Sequence, residues 1–161
     1  MGRGVDLSYG IPSRPGRARC RPARLTPVLV SETGASIVEV RVSARPTLIP
    51  TIRAVAGDLA GRADFDLDTI ADLRMAVDEA CATLVGLDTG GWLSARFVVQ
   101  DDRIEVTVSA ASTPAGAAVN TSSFGWRVLQ TLADQVSTVR GVDGVPDALA
   151  IRLVKLSSMP R

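Results

Sequence analysis

The sequence predicts an α+β fold: a two-layer α/β sandwich with helices on one face of a mixed, mostly antiparallel sheet. Three observations lead there. Residues 68–85 carry a clear helical period, with Ile70, Leu73, Val77 and Leu84 in one apolar stripe. Short runs rich in β-branched residues stand between turn signals, among them residues 37–43, Trp92–Val99 and Arg103–Ala110. The elements follow one another as strand, helix, helix, strand, strand, helix, strand, strand, an order that lets the helices gather on one side.

Residues 1–34 read as a disordered tail rich in arginine and proline, residues 35–157 as the domain, and 158–161 as a short C-terminal tail. Over residues 1–24 six arginines face one acid, Asp6, while residues 25–161 carry 12 basic and 16 acidic residues, so the overall charge of +1 hides an asymmetry. Pro12, Pro15, Pro22 and Pro27 interrupt any regular element in the tail. Such a tail could touch nucleic acid without specificity. It lacks interleaved aromatics, however, and the expectation is no direct nucleic-acid binding.

The first strand, residues 37–43, alternates Val38, Val40 and Val42 against Glu39 and Arg41. A turn over residues 44–47 leads into a first helix ending near Gly61, with Leu48, Ile52, Val55 and Leu59 as its stripe and Pro50 tolerated in its opening turn. Asp66 or Asp68 can cap the second helix and Gly86 can close it. Gln100, Asp101 and Asp102 form a polar hairpin turn between the next two strands. Residues 111–122 are a loop, and Ser122 or Ser123 caps a third helix over about 124–134. Residues 135–140 and 149–155 are the last strands.

At about 100° per residue, Glu79 points 120–180° away from Ile70, Leu73 and Val77 on the second helix, and Thr83 lies beside it at i+4. That face is either solvated or a site. Cys81 lies near the apolar stripe, where packing as a small hydrophobe is its expected role. With no secretion signal in view, Cys20 and Cys81 are expected to be free thiols, and the cytoplasm is the expected location. No run of about 18 apolar residues is present, which argues against a membrane helix.

Absences narrow the chemistry. The chain has no histidine, which excludes Ser-His and Cys-His nucleophile pairs and histidine metal sites. Its one lysine, Lys155, stands in the last strand, and no Gly-Lys-Ser/Thr run exists for a P-loop.

The run Asp78-Glu-Ala-Cys-Ala-Thr83, with residues 124–136 downstream, resembles the anti-sigma factors of the RsbW and SpoIIAB type, especially their actinobacterial members. These belong to the histidine-kinase-like (GHKL, Bergerat-fold) ATPase superfamily. The resemblance covers roughly residues 37–156. It implies a homodimeric protein that holds a sigma factor away from RNA polymerase and answers to an antagonist, or anti-anti-sigma, protein.

It also implies an ATP site. The family's Glu-x-x-x-Asn supplies a general base for serine phosphorylation and a Mg²⁺ ligand; here the glutamate is Glu79, and Thr83 takes the asparagine position. The family's Asp-x-Gly-x-Gly adenine loop falls on Ala110, Ser112 and Pro114. The next glycine pair falls on Ser123 and Gly125, and the closing Gly-Thr on Ala148 and Leu149. Ala110 has no side-chain acceptor for an adenine amino group, and a hydroxyl is a weaker Mg²⁺ ligand than an amide carbonyl. The resemblance further places a sigma-contacting arginine at Arg53, which is alternatively a plain solvated helix arginine. Trp126 is either a core aromatic or an exposed anchor.

Three readings follow. The first is an anti-sigma factor acting by sequestration with a degenerate nucleotide site and no cofactor. The second is an anti-sigma serine kinase still using ATP and Mg²⁺. The third is a regulatory protein of the same fold with another partner.

Overall fold

A computed structural model describes residues 34–142 and 144–158. All of the N-terminal tail expected over 1–34 except Gly34 lies outside the described residues, as do Cys20 and residues 159–161.

The chain runs β1 (Ser36–Ser43), a short 3-10 turn (Pro46–Leu48), α1 (Ile49–Arg62), α2 (Leu67–Val85), β2 (Trp92–Val99), β3 (Arg103–Ala110), α3 (Phe124–Leu132), β4 (Gln135–Val142) and β5 (Val145–Leu156). The strands form one sheet in the order β1-β2-β3-β5-β4. Every pairing within it is antiparallel, so the sheet is wholly rather than mostly antiparallel. Strand β5 slots between β3 and β4 because α3 carries the chain across to the far edge before the last hairpin turns it back.

One face of the sheet is apolar. Leu93, Ala95 and Phe97 of β2, Ile104, Val106 and Val108 of β3, and Leu149, Ile151 and Leu153 of β5 are buried beneath the helices. Alternate residues such as Arg41, Arg96 and Arg152 lie on the opposite face and are exposed, as the two-residue strand period requires.

Helix α2 is the central brace. Leu73, Ala76, Val77, Ala80, Cys81 and Leu84 are buried, which keeps the predicted stripe except that Ile70 is only half-buried. Asp66 caps the helix, its carboxylate accepting from the Thr69 amide at 2.9 Å. The Ser158 hydroxyl, then the Thr69 hydroxyl and amide, hold the Asp66 carboxyl well below the ordinary aspartate range. This cap is therefore complete above the ordinary aspartate pKa and is lost as pH falls through the lowered value. Gly86 closes the helix with φ −65°, so the stop is made without a left-handed residue.

Helix α1 corrects the predicted stripe. Its buried residues are Ile49, Ile52, Ala56 and Ala60, while Val55 and Leu59 are half-buried and Leu48 belongs to the preceding turn. The face carrying two alanines, rather than the bulkier one, turns inward. Small residues there let two helix backbones approach. The helix also runs past Gly61 to Arg62, and the left-handed residue after it is Asp64, with φ 57°. Helix α3 is shorter than predicted, ending at Leu132. The last two strands extend to within a turn of each other where a seven-residue connection was expected over 141–147.

Lys155 ties three elements together. Its ammonium pairs with Asp72 of α2 at 2.9 Å and donates to the Leu132 carbonyl of α3 at 2.9 Å. That carbonyl is one of those left without an intrahelical partner at a helix C-terminus, where a cation is favoured. The lysine side chain is 12% exposed and the aspartate 37%. Removing the acid strands a nearly buried charge, whereas replacing the lysine with an apolar side chain of similar length does not. Asp72→Ala is expected to lower unfolding free energy by about 1–3 kcal/mol and Lys155→Met by under about 1 kcal/mol. Urea denaturation measures both, and the reverse ranking contradicts this assignment.

Candidate functional site

The predicted site residues divide into separate groups. Glu79 lies on α2, half-buried, with its carboxylate directed at the first turn of α3. There it meets Gly125. A Cβ built on Gly125 would lie 3.1 Å from the Glu79 carboxyl carbon and closer still to Oε1. Gly125 has no positive φ, so its conformational freedom is not what the position uses. The missing side chain is the point: it lets the carboxylate rest on the helix backbone.

Ser123 caps α3, its hydroxyl accepting from the Trp126 amide at 3.1 Å. This cap turns the helix so that Trp126 and Leu129 enter the core, which settles Trp126 as a core aromatic at 7% exposure. Its neighbour Phe124 faces outward, 82% exposed. Thr83 follows Glu79 by one turn and is half-buried.

The other group forms where β3 ends. Ala110 is fully buried and pairs in register with Leu93 and Leu149. Two residues on, the Ser112 carbonyl accepts from the Thr89 amide at 2.7 Å and from the Thr89 hydroxyl at 2.9 Å, and the two hydroxyls lie 2.8 Å apart. Ser112 Cβ also packs on Gly91, where an added Cβ would come within 2.7 Å of it. Asp88 shapes this bend by accepting from the Gly90 and Gly91 amides at 2.8 and 2.6 Å. Residues further along the same loop are held too. The Thr113 hydroxyl donates to the Asp147 carbonyl at 3.0 Å, and the Arg140 guanidinium donates to the Ala117 carbonyl.

These facts bear on whether a nucleotide and Mg²⁺ fit. If Ala110 faced an adenine amino group, as the resemblance implies, its methyl would offer no acceptor. Ser112, on the loop after β3, has its side chain bonded to Thr89 and pressed against Gly91. Among the described residues no group of three or more His, Cys, Asp or Glu side chains converges as a metal site. As donors to a nucleotide and Mg²⁺, the methyl of Ala110 and the hydroxyl of Thr83 are poorer than a carboxylate and an amide carbonyl would be.

Arg53 sits elsewhere. It projects from α1 to Asp78 of α2, Nη1 to Oδ2 at 2.7 Å, with 37% and 35% of the two side chains exposed. Asp78 Oδ1 is buried and has no hydrogen-bond partner among the described residues. The arginine is therefore oriented by its neighbour helix rather than loose in solvent. Sequence reading missed this pair, the Thr89–Ser112 contact and the reason for Gly125. All three depend on packing between elements, though opposite charges on two predicted neighbouring helices were a usable signal for the first.

Cys81 is wholly buried, and burial first, with the Asp78 charge second, pushes its thiol up to about 12. In a Cys20→Ser background, iodoacetamide at pH 8 is expected to leave Cys81 unmodified until the protein is unfolded; rapid labelling of the native chain contradicts this burial. The Glu79–Gly125 contact has its own test. Gly→Ala inside a helix ordinarily gains up to about 1 kcal/mol. Gly125→Ala should yield less than that in the native background, where the new methyl displaces the carboxylate, and the full gain beside Glu79→Ala. Denaturation of the four-member mutant cycle should give a coupling of about 0.5–1 kcal/mol, and strict additivity argues against the contact.

Comparison with known proteins places these features in context. Residues 42–154 match the model of the histidine kinase-like ATPase domain. The chain is 37% identical over 108 residues to the anti-sigma-F factor RsbW of Mycobacterium tuberculosis, covering 66% of this chain and 64% of that protein. It is 37% identical over 82 residues to the serine-protein kinase RsbW of Bacillus subtilis, covering 48% of this chain and 51% of that protein. The chain thus spans between half and two thirds of these relatives' lengths. Among solved structures, the RsbU and RsbW domains of a Mycobacterium tuberculosis protein share the fold, with a TM-score of 0.60 at 17% identity over 78% of this chain and 34% of that one.

Proposed function

The chain belongs to the histidine kinase-like ATPase domain family, and from that premise we propose that it is an anti-sigma factor that works by sequestration. It binds a sigma factor through the surface around Arg53 and keeps it from RNA polymerase. An antagonist protein releases the sigma factor by competing for the same surface. A homodimer in the cytoplasm is the working form, and neither nucleic acid nor a membrane is a direct partner. No helix among the described residues is long and apolar enough to cross a membrane.

One observation carries the choice of sequestration over catalysis. Ser112 stands where a nucleotide-binding member would bring backbone close to its ligand, and its side chain is engaged with Thr89 and Gly91. With Ala110 beside it, the pocket offers neither an adenine acceptor nor a bare backbone. Affinity for nucleotide would have to come from phosphates alone, and few glycine amides remain to hold them. The similarity to a protein named an anti-sigma factor supports the binding role.

A second reading rests on Glu79. A half-buried carboxylate is kept at the position of the family's general base, and other relatives are named serine-protein kinases. In that reading Glu79 takes the proton from a serine of the antagonist, Thr83 helps to hold Mg²⁺, and Ala110, Ser112, Ser123 and Gly125 line the nucleotide.

Calorimetry separates the two. The sequestration reading predicts no binding of ATP·Mg²⁺ in the micromolar range, together with a sigma complex that Arg53→Glu weakens by at least about 1.4 kcal/mol, tenfold in affinity. Micromolar nucleotide binding that disappears in Glu79→Ala and Thr83→Ala favours the kinase. Unchanged sigma affinity in folded Arg53→Glu removes that surface from the mechanism.

A further inference from the structure

On the exposed side of the α1–α2 pair lies a depression of about 270 Å³ lined by Arg53, Ala71, Arg74, Met75 and Asp78. Small-molecule sites run upward from roughly 300 Å³ and are enclosed, so this is a socket for a protein side chain or two. Residues 71, 74, 75 and 78 stand at i, i+3, i+4 and i+7, the spacing of a helix face that meets another element. Helix α2 therefore has two faces, one buried in the core and one open.

The open face has the composition of an anchor site. Met75 is 52% exposed, an adaptable apolar side chain half open to solvent. Arg53 and Asp78 compensate each other, Arg62 pairs with Asp58, and Lys155 pairs with Asp72. Arg74 has no acidic partner among the described residues, so it leaves the groove with one uncompensated positive charge. It is also held in place. Its stem crosses α1 at Gly57, where an added Cβ would come 3.0 Å from Arg74 Cδ and 3.4 Å from Cγ. A glycine on one helix thus forms the seat for an arginine on the next. Pre-positioned arginines beside exposed apolar groups are the usual high-energy contacts of protein interfaces.

We propose that this groove receives a helix of the sigma factor, one of whose carboxylates pairs with Arg74 while a neighbouring apolar side chain covers Met75. The inference rests on the anti-sigma reading and extends it from Arg53 on α1 to three further residues, Gly57, Arg74 and Met75. Continuity with Arg53 points to the sigma factor as the occupant, and the uncompensated charge on Arg74 selects an acidic segment of it. Arg53 keeps its pairing with Asp78 on binding, since a guanidinium has donors beyond the one that Asp78 uses.

The test titrates the full-length chain with purified sigma factors of its own host, each taken singly. One should bind the wild type. Arg74→Glu and Met75→Asp should then each weaken that complex about tenfold or more. Gly57→Ala, which alters no charge, should weaken it several-fold by displacing Arg74. A carboxylate-to-lysine change in the sigma helix should restore binding to Arg74→Glu. These positions lie outside the core, so the losses should come with unchanged circular dichroism and no fall in melting temperature. If the wild type binds and Arg53→Glu does not, while Arg74→Glu and Met75→Asp stay within twofold, the groove is rejected and the anti-sigma reading stands. Loss of antagonist binding with sigma binding intact rejects this occupant. A wild-type chain that binds none of the sigma factors rejects both.

Discussion

The close approach of α2 to α3 governs this molecule. Glu79 leans on the backbone of Gly125, where no side chain could stand without moving the carboxylate. At the other end of the same helix, Asp72 and the Leu132 carbonyl share the Lys155 ammonium, which fixes α2 and α3 to the fourth strand of the sheet order. Between these points α2 buries Leu73, Val77 and Leu84 against the sheet. Its rotation about its own axis is thereby set, and with it the direction in which every other residue of α2 points. The carboxylate of Glu79 turns toward α3, and the stripe of Ala71, Arg74, Met75 and Asp78 turns toward solvent and α1.

That fixed rotation joins two regions with opposite prospects. Around Ala110 and Ser112 the loop is hydrogen-bonded to Thr89 of the α2–β2 connection, Asp147 of β5 and Arg140 of β4. Opening it for a ligand would cost those bonds. The α1–α2 surface is the reverse: charged, partly apolar and uncovered. Function resides in the site rather than the fold, and here one fold carries a hydrogen-bonded loop on one side and an exposed outer wall on the other.

Much of this was legible in the residues. Strands β2 and β3 fall where alternation and the Gln100–Asp102 turn place them, and α2 falls within a residue of its expected start, because strong periodicity and a capping aspartate agree there. Helix α1 was harder. Leucine and valine outweigh alanine in any hydrophobic pattern, yet close helix contact selected the alanine face, Ala56 and Ala60. Gly61 drew the predicted helix end by residue type, whereas Asp64 supplies the left-handed turn. The last hairpin is longer than predicted because Val145 and Pro146 do not read as strand; Pro146 lies past the end of the β3–β5 pairing and opposite the register shift between Arg140 and Val142, where a missing donor is tolerated. For the site, the positions came from family resemblance, but the contacts did not. Neither the Ser112–Thr89 bonds nor the seat of Arg74 on Gly57 can be read from one element alone.

What remains is a claim about coupling. If the pocket has lost nucleotide while the outer wall keeps its partner, the sigma complex forms at the same strength whatever the nucleotide concentration. A ligand shifts an equilibrium only by its differential affinity for the two states, so an unbound nucleotide shifts nothing. The most direct measurement is the dissociation constant of the sigma complex with and without millimolar ATP·Mg²⁺. Sequestration without nucleotide predicts the same value in both conditions, and a tenfold or greater change on adding nucleotide would contradict it.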